Sequence, residues 1–583
     1  MAAKRMSHAA MWLSALCACL SLAAAAWLTG FDREVGRQAV WLAALPALWA
    51  GGYRFFRETD RRMQTCFGLL GALFMLALAL GARLSANGDT GWNGLAAALL
   101  FALCSGPAAA EGFVLLYKGF MRLSARMALG AKKAFWLAFG VILLCWLPVI
   151  IAYFPGITGY DMDFQMAQLR EGAYSSHHPL LHTLFIGLFW KLGALLGNES
   201  AGYGAHTVVQ AVLLAASIAY ALRWLNALGC HKGFWYALLA YFALSPQHAI
   251  LAMSGTKDVL FAAAMLVCVV ELCRLLGEPE RRARKGVLAW DAAVIALTGL
   301  LRNNAVYSLA LLLLVSAIFF RRRLGRRVLC VMLAGMLAAV GGAAVLEKAT
   351  RASSVSVREM LSIPCQQLAR VYDKHGLDVP VGYEIREILP DAENYAPDRA
   401  DFTKRSAKVT TPDRLMRFLK LWAREALHYP IEYIDAFLYN TRGYWDMQDV
   451  SFATTYDEVP GSPVGCLVLG HNPVTGIRRW HALPEVEALC RELFTLNGYQ
   501  RFPVLWMLMH PALYTWMLGF VLAWAVWQRR REVLLPACVL LAYLLTLLIG
   551  PCALIRYQYD LMLSAPILLG ALWVRQKREL QAE

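Results

Sequence analysis

The chain has 583 residues, 59% of them hydrophobic and only 16% charged, with a mean hydropathy of +0.48 and a net charge of +16. Those values exclude a soluble enzyme, because apolar runs of about 17–25 residues, each long enough to cross a bilayer, start near Met11 and recur to Leu572. Nor does the positive charge signify nucleic acid: it falls in short clusters between the apolar runs, the pattern that marks cytoplasmic loops.

In chain order, the first run, Met11–Trp27, also has the form of a cleaved signal peptide, with Lys4 and Arg5 before it and small residues at Ala23–Ala26. Its length and the spans that follow at once favour a retained span, and the lipobox-like Leu16-Cys17-Ala18-Cys19 is discounted on the same ground. Expected spans are residues 11–30, 36–53, 66–83, 94–117, 133–154, 203–225, 233–251, 258–276, 287–302, 304–320, 327–346, 503–527, 533–550 and 556–573. The basic clusters anchor one side: Arg54/Arg57/Arg61/Arg62, Lys118/Arg122/Arg126/Lys132/Lys133, Arg281/Arg282/Arg284/Lys285, Arg321–Arg323 with Arg326/Arg327, Arg529–Arg531, and Arg575/Lys577/Arg578. Fourteen spans place both termini in the cytoplasm.

Pro179–Leu196 is equally apolar, yet counting it as a span would move the Arg281–Lys285 and Arg321–Arg327 clusters outside. It is therefore expected to be an interfacial or re-entrant helix on the outer face, and Lys191 near its middle agrees. The expected fold class is an all-α polytopic membrane protein of about fourteen transmembrane helices, with that interfacial helix and a mostly helical outer segment. Its regions are 1–132 (four spans), 133–346 (a transmembrane core with the first outer loop, 154–202), 347–502 (the extracytoplasmic segment) and 503–583 (three spans and a cytoplasmic tail). Within the segment, Val357–His375, Pro412–Leu427 and Pro484–Leu496 read as helices. Pro412–Leu427 is amphipathic and suits either the membrane surface or a lid.

This topology gathers polar residues from five distant places at the outer boundary, while the inner face carries only basic clusters. Asp161 and Asp163, on the loop after the fifth span, suit a divalent cation such as Mg or Mn, a general base, or plain helix capping. Gln165 follows them. His177, His178 and His182 open the Pro179 helix; the spacing of His178 and His182 is compatible with metal, though a structural or substrate-orienting role fits better without an HExxH pattern. Lys257, Asp258, Arg302, Asn303, Asn304, Arg556 and Tyr557 sit at span ends, where each is a snorkelling anchor or a cap, or where the three cations together hold a lipid phosphate. Most of the fourteen cysteines lie in apolar runs; Cys466 and Cys490 could bridge. No Walker A or dinucleotide-binding pattern is present, so a transferase on the outer side needs a membrane-borne activated donor.

The order of an acidic first outer loop at Asp161, a His177-His178-Pro179 helix, Lys257-Asp258 at a span start, an Arg302-Asn303-Asn304 loop and a late Arg556-Tyr557 resembles the GT-C superfamily of polytopic glycosyltransferases, and Tyr153-x-Pro-Gly, Asp161-x-x-x-Gln165, His182, Ser254-x-x-Lys257-Asp258, Ile363-Pro364-x-Gln366-Gln367 and Gly550-Pro551 carry a narrower resemblance. Protein O-mannosyltransferases and aminoarabinose transferases belong to that superfamily, and the narrower resemblance is to an uncharacterised bacterial family related to them. The resemblance spans about residues 130–573 and implies a polyprenyl-phosphate-linked sugar donor and inverting transfer to an extracytoplasmic glycan, lipid or protein. By position it makes Asp161 the general base; in the reading built on it Asp163 supports that base or helps bind a metal, Gln165 and the histidines position sugar or acceptor, and Lys257, Arg302 and Arg556 stabilise the departing phosphate. A transporter or lipid flippase and a membrane O-acyltransferase are the rival readings.

Overall fold

Long apolar stretches with few breakers dictate helices, since a chain in lipid must satisfy its backbone groups within each segment. In the computed structural model, which describes residues 2–29, 35–123, 129–158, 160–449 and 477–580, the described residues are mostly helical and form no strand beyond isolated bridges. The first helices are α1 (Ala2–Thr29), α2 (Val35–Glu58), α3 (Arg61–Asn87), α4 (Gly91–Arg122) and α5 (Ala131–Ala152). Next come α6 (Tyr160–Glu171), α7 (Leu180–Leu195), α8 (Glu199–Leu228), α9 (Lys232–Leu244), α10 (Pro246–Ala252), α11 (Lys257–Gly277), α12 (Lys285–Leu301), α13 (Ala305–Val315) and α14 (Arg321–Thr350).

The polar segment holds α15 (Ser362–His375), α16 (Pro380–Ile388), α17 (Asp401–Lys404), α18 (Pro412–His428), α19 (Pro430–Thr441) and α20 (Pro484–Phe494). The chain closes with α21 (Pro503–Met509), α22 (Pro511–Trp527), α23 (Arg531–Leu547) and α24 (Tyr559–Leu580). Every expected span falls on a helix or a pair of helices. Among the described residues seven helices are long and apolar enough to cross a membrane, or eight with the α21–α22 pair, bent by 68°. One of the seven is the continuous run Ala305–Thr350, which Gly325 breaks with φ 77° and ψ 161°.

The loops sort to two ends of the bundle. At one end the basic loops touch: Arg282 donates to the Arg323 carbonyl at 2.5 Å, Arg323 pairs with Glu532 at 3.7 Å, and Arg62 reaches the Val526 carbonyl at 2.6 Å. At the other end Asn303 donates to the Ser176 carbonyl at 3.1 Å, and Ile157 bridges to Ser254. Helix α7 starts at this second end. His178, just before it, meets Lys257, and the α8 residue Glu199, just after it, meets Arg170 of α6 at 3.3 Å. At 16 residues α7 extends about 24 Å, short of a hydrocarbon core about 30 Å thick.

Two expectations about charge and packing need correction. The basic end is more than a row of exposed cations: Glu271, on α11 and buried, is bonded to Tyr220, Arg274 and Arg281, and Asp291 on α12 is buried nearby. The apolar face of helix α18 is covered by protein. Its Phe418 and Leu421 are buried with Leu368, Val371, Ile385 and Tyr433 in a second, smaller core, where α16 and α19 supply helices the sequence reading had left out. This core sits on the polar end of the bundle, with Tyr444 donating to the Cys552 carbonyl at 3.1 Å, Asn440 to that of Gly550 at 2.9 Å, and Arg370 to that of Gly88 at 2.7 Å. Cys490 is a buried free thiol, and Cys466 lies outside the described residues.

Candidate functional site

The polar site is built where the loop after α5 crosses the junction of α10 and α11. Ile157 exchanges two backbone hydrogen bonds there, its N–H donating to the Met253 carbonyl at 2.8 Å and its carbonyl accepting from Gly255 at 3.0 Å. The approach requires glycine at 255, because a Cβ would stand 2.3 Å from the Tyr203 hydroxyl and 2.6 Å from the Met162 sulfur. The clamp sets the first turn of α6 beside the first turn of α11, and so Asp161 beside Lys257.

Lys257 Nζ donates to Asp161 Oδ2 at 2.5 Å and faces Nδ1 of His178 at 3.3 Å. Arg556, on a single 3₁₀ turn before α24, donates from Nη1 to Asp161 at 2.7 Å and to Asp258 at 2.9 Å. The other Asp258 oxygen pairs with Arg302, the residue that ends α12. Tyr557 lies between the two guanidinium groups, 5.0 Å from Arg302 and 4.8 Å from Arg556, and Phe261 and Tyr543 flank Arg302 at 5.7 and 5.8 Å. Three cations and two carboxylates, delivered by four separate stretches of chain, thus make one continuous ionic cluster.

The cluster has a rim and a floor. The side chains of Lys257, Asp161 and Arg556 keep 13%, 10% and 11% of their surface, whereas those of Arg302 and Asp258 keep 8% and 1%. Burial alone would raise the Asp161 carboxyl, but Arg556 and Lys257 outweigh it and hold the group well below the usual carboxylate range. His178 is pushed down to about 3, first by burial and then by Lys257, and is therefore neutral at physiological pH. An ammonium can only donate, so Nδ1 of His178 accepts and its proton sits on Nε2, which is buried and has no hydrogen-bond partner among the described residues.

The remaining expected residues divide. Gln165 and His182 are fully buried behind the cluster, bonded to each other at 3.1 Å, with Gln165 also donating to Thr183 at 2.8 Å. His177 is exposed, its ring 4.7 Å from that of His178. Asn303 is exposed and ties the α12–α13 turn to Ser176, and Asn304 is half-buried at the start of α13 without a side-chain cap bond. Asp163 is half-buried on the Tyr203 side of α6. Asp560, buried one turn beyond Arg556 and near Arg302, went unnoticed in the sequence, although an acid in an apolar span is itself a signal.

The donor set does not fit a divalent cation. Asp161 is taken up by two cations, His178 and His182 turn to different partners, and no group of three or more potential ligands occurs among the described residues. What the arrangement suits is an oxyanion: a lysine and a forked guanidinium at an accessible rim, with a neutral N–H donor beside them.

Fold and site together define a multi-pass helical membrane protein with a buried ionic centre at one end of its bundle. Within that class the chain belongs to DUF6020, a family of unknown function, whose profile matches residues 170–583. The matched stretch includes His178, Lys257, Asp258, Arg302 and Arg556 and begins after Asp161. No curated protein and no solved structure matches the chain.

Proposed function

We propose that the protein is an integral-membrane glycosyltransferase of the GT-C type, moving a sugar from a polyprenyl-phosphate donor to an acceptor on the extracytoplasmic face. The reading takes fourteen crossings with both termini cytoplasmic, so that the ionic cluster faces outward. The observation that carries it is the joining of Asp161, Lys257, Asp258, Arg302 and Arg556 into one partly accessible cluster at the end opposite the basic loops.

In the proposed reaction the acceptor hydroxyl oxygen attacks the anomeric carbon and gives its proton to Asp161. The bond from that carbon to the phosphate oxygen breaks, its electron pair stays on the phosphate, and a single displacement inverts the centre. Lys257 and Arg556 stabilise the charge that develops on the departing phosphate, and Arg302 and Asp258 hold Arg556 in place from below. The Asp161→Asn protein should then insert and express normally yet lose transfer of a radiolabelled sugar from a polyprenyl-phosphate donor, and retained turnover would refute the role of Asp161. Polyprenyl phosphates are expected among the lipids that copurify with the protein.

A transporter remains a second reading because acids are also buried in the apolar helices, Glu271 on α11 and Asp291 on α12. Sealed vesicles separate the two: a transferase modifies an acceptor without carrying donor across.

A further inference from the structure

A general base must be basic, and in the empty site Asp161 is held by two cations that weaken it as one. Its Oδ2 takes Lys257 at 2.5 Å and Arg556 at 2.7 Å, and its Oδ1 lies 3.5 Å from the second Arg556 nitrogen. A carboxylate gripped in this way accepts a further proton poorly. The two acids of the cluster are also placed differently. Asp258 belongs to the floor: 1% exposed, on the first turn of a long buried helix, and tied to Arg302 as well as Arg556. Asp161 belongs to the rim, on the first turn of the 12-residue α6.

The cations at that rim present two donors on one side to a planar, singly charged oxyanion. Beside them, Nε2–H of His178 is buried with no acceptor among the described residues, its tautomer fixed by Lys257 on the other ring nitrogen. A buried donor without an acceptor costs free energy unless a ligand satisfies it.

Resting on the reading of the site as a phosphate-binding transferase centre, we propose that Asp161 is a place-holder for the donor's phosphate. The arriving phosphate takes Lys257 and Arg556 from the carboxylate and accepts a hydrogen bond from Nε2–H of His178. The carboxylate, released, turns to the acceptor hydroxyl. Asp258 stays where it is and keeps Arg556 aimed at the phosphate. Base strength is thereby switched on by donor binding, and the acceptor is not deprotonated at an empty site.

The test compares two substitutions that remove the same charge. Full-length wild-type, Asp161→Asn and Asp258→Asn proteins in nanodiscs are titrated with a polyprenyl phosphate. The apparent affinity of the wild type carries the cost of displacing the carboxylate, so Asp161→Asn should bind about tenfold tighter if about a tenth of the wild-type population has its seat open. Asp258→Asn, which loses the support of Arg556, should bind no tighter than wild type. Equal tightening of both variants would reduce the effect to general electrostatics and overturn the place-holder role, as would any failure of Asp161→Asn to tighten. Failure of the wild type to bind the lipid would instead overturn the phosphate reading beneath it. Should Asp161→Asn not fold, infrared difference spectra of wild type labelled at aspartate decide the matter: a carboxylate band that shifts on lipid binding is expected, and an unchanged band refutes the exchange.

Discussion

His178 shows how much a single neighbour decides. Lys257 removes the choice of tautomer and burial removes the charge, so a residue that ordinarily titrates near neutrality becomes a fixed donor down to about pH 3. His182, deep behind it, is likewise held well below its usual value by burial. Both shifts are downward from the 6.5 of an exposed histidine, so below that pH the unfolded chain takes up protons that the folded one refuses. The contribution of His178 is full above pH 6.5 and is lost as the pH falls toward 3, at up to about 1.4 kcal/mol per pH unit, and that of His182 is lost in the same direction. Asp161, shifted below 3.8, loses its contribution only under more acidic conditions. The melting temperature in detergent should therefore drop between pH 6.5 and 4.5, and His178→Gln should flatten part of that slope; a flat wild-type profile would contradict the assignment. The ionisable members of the site were legible in the sequence because charge at a span end is costly and rarely idle. Their pairing was not: nothing in the spacing says that Arg556 lies on Asp161, or that His182 turns away to Gln165.

Helix α18 makes the corresponding point for elements. Its pattern of Leu415, Phe418, Leu419 and Trp422 on one side announces a buried face but not what buries it. Here the partner is protein: Phe418 is wholly enclosed, Trp422 donates to Gln367 of α15 at 2.7 Å, and Tyr433 of α19 donates back to the Trp422 carbonyl at 2.8 Å. Short helices begun by proline, such as α16 at Pro380 and α19 at Pro430, give too weak a periodic signal to be read without that partner. Phe418→Ala should cost about 3–5 kcal/mol by opening a cavity in the second core. Limited proteolysis would detect it as faster cutting within residues 351–449, with the bundle intact. Leu427→Ala, on a side chain 83% exposed, should leave the cutting rate unchanged.

For the whole molecule, the informative quantity is parity. Charge clusters count crossings without reference to any single helix, which is why an apolar run could be denied a span from sequence alone. In the structure α7 is a 16-residue helix packed against α8. There Gly193 and Gly202 face each other so closely that a Cβ on either would fall 2.5–2.7 Å from the other's Cα. What parity could not reveal is how the polar segment docks, since Tyr444 on Cys552 and Arg370 on Gly88 are contacts between stretches with no shared pattern. The same parity yields a direct test. With all fourteen native cysteines replaced by alanine, single cysteines are placed at Glu171, before α7, at Leu196, after it, and at Ala283 in the basic end; all three positions are exposed. A membrane-impermeant maleimide applied to intact cells should label Glu171→Cys and Leu196→Cys alike, and Ala283→Cys only after permeabilisation. Opposite labelling of the first two would make α7 a span. Glu199 would then lie across the membrane from Asp161, although it pairs with Arg170, nine residues from Asp161 on the same helix α6.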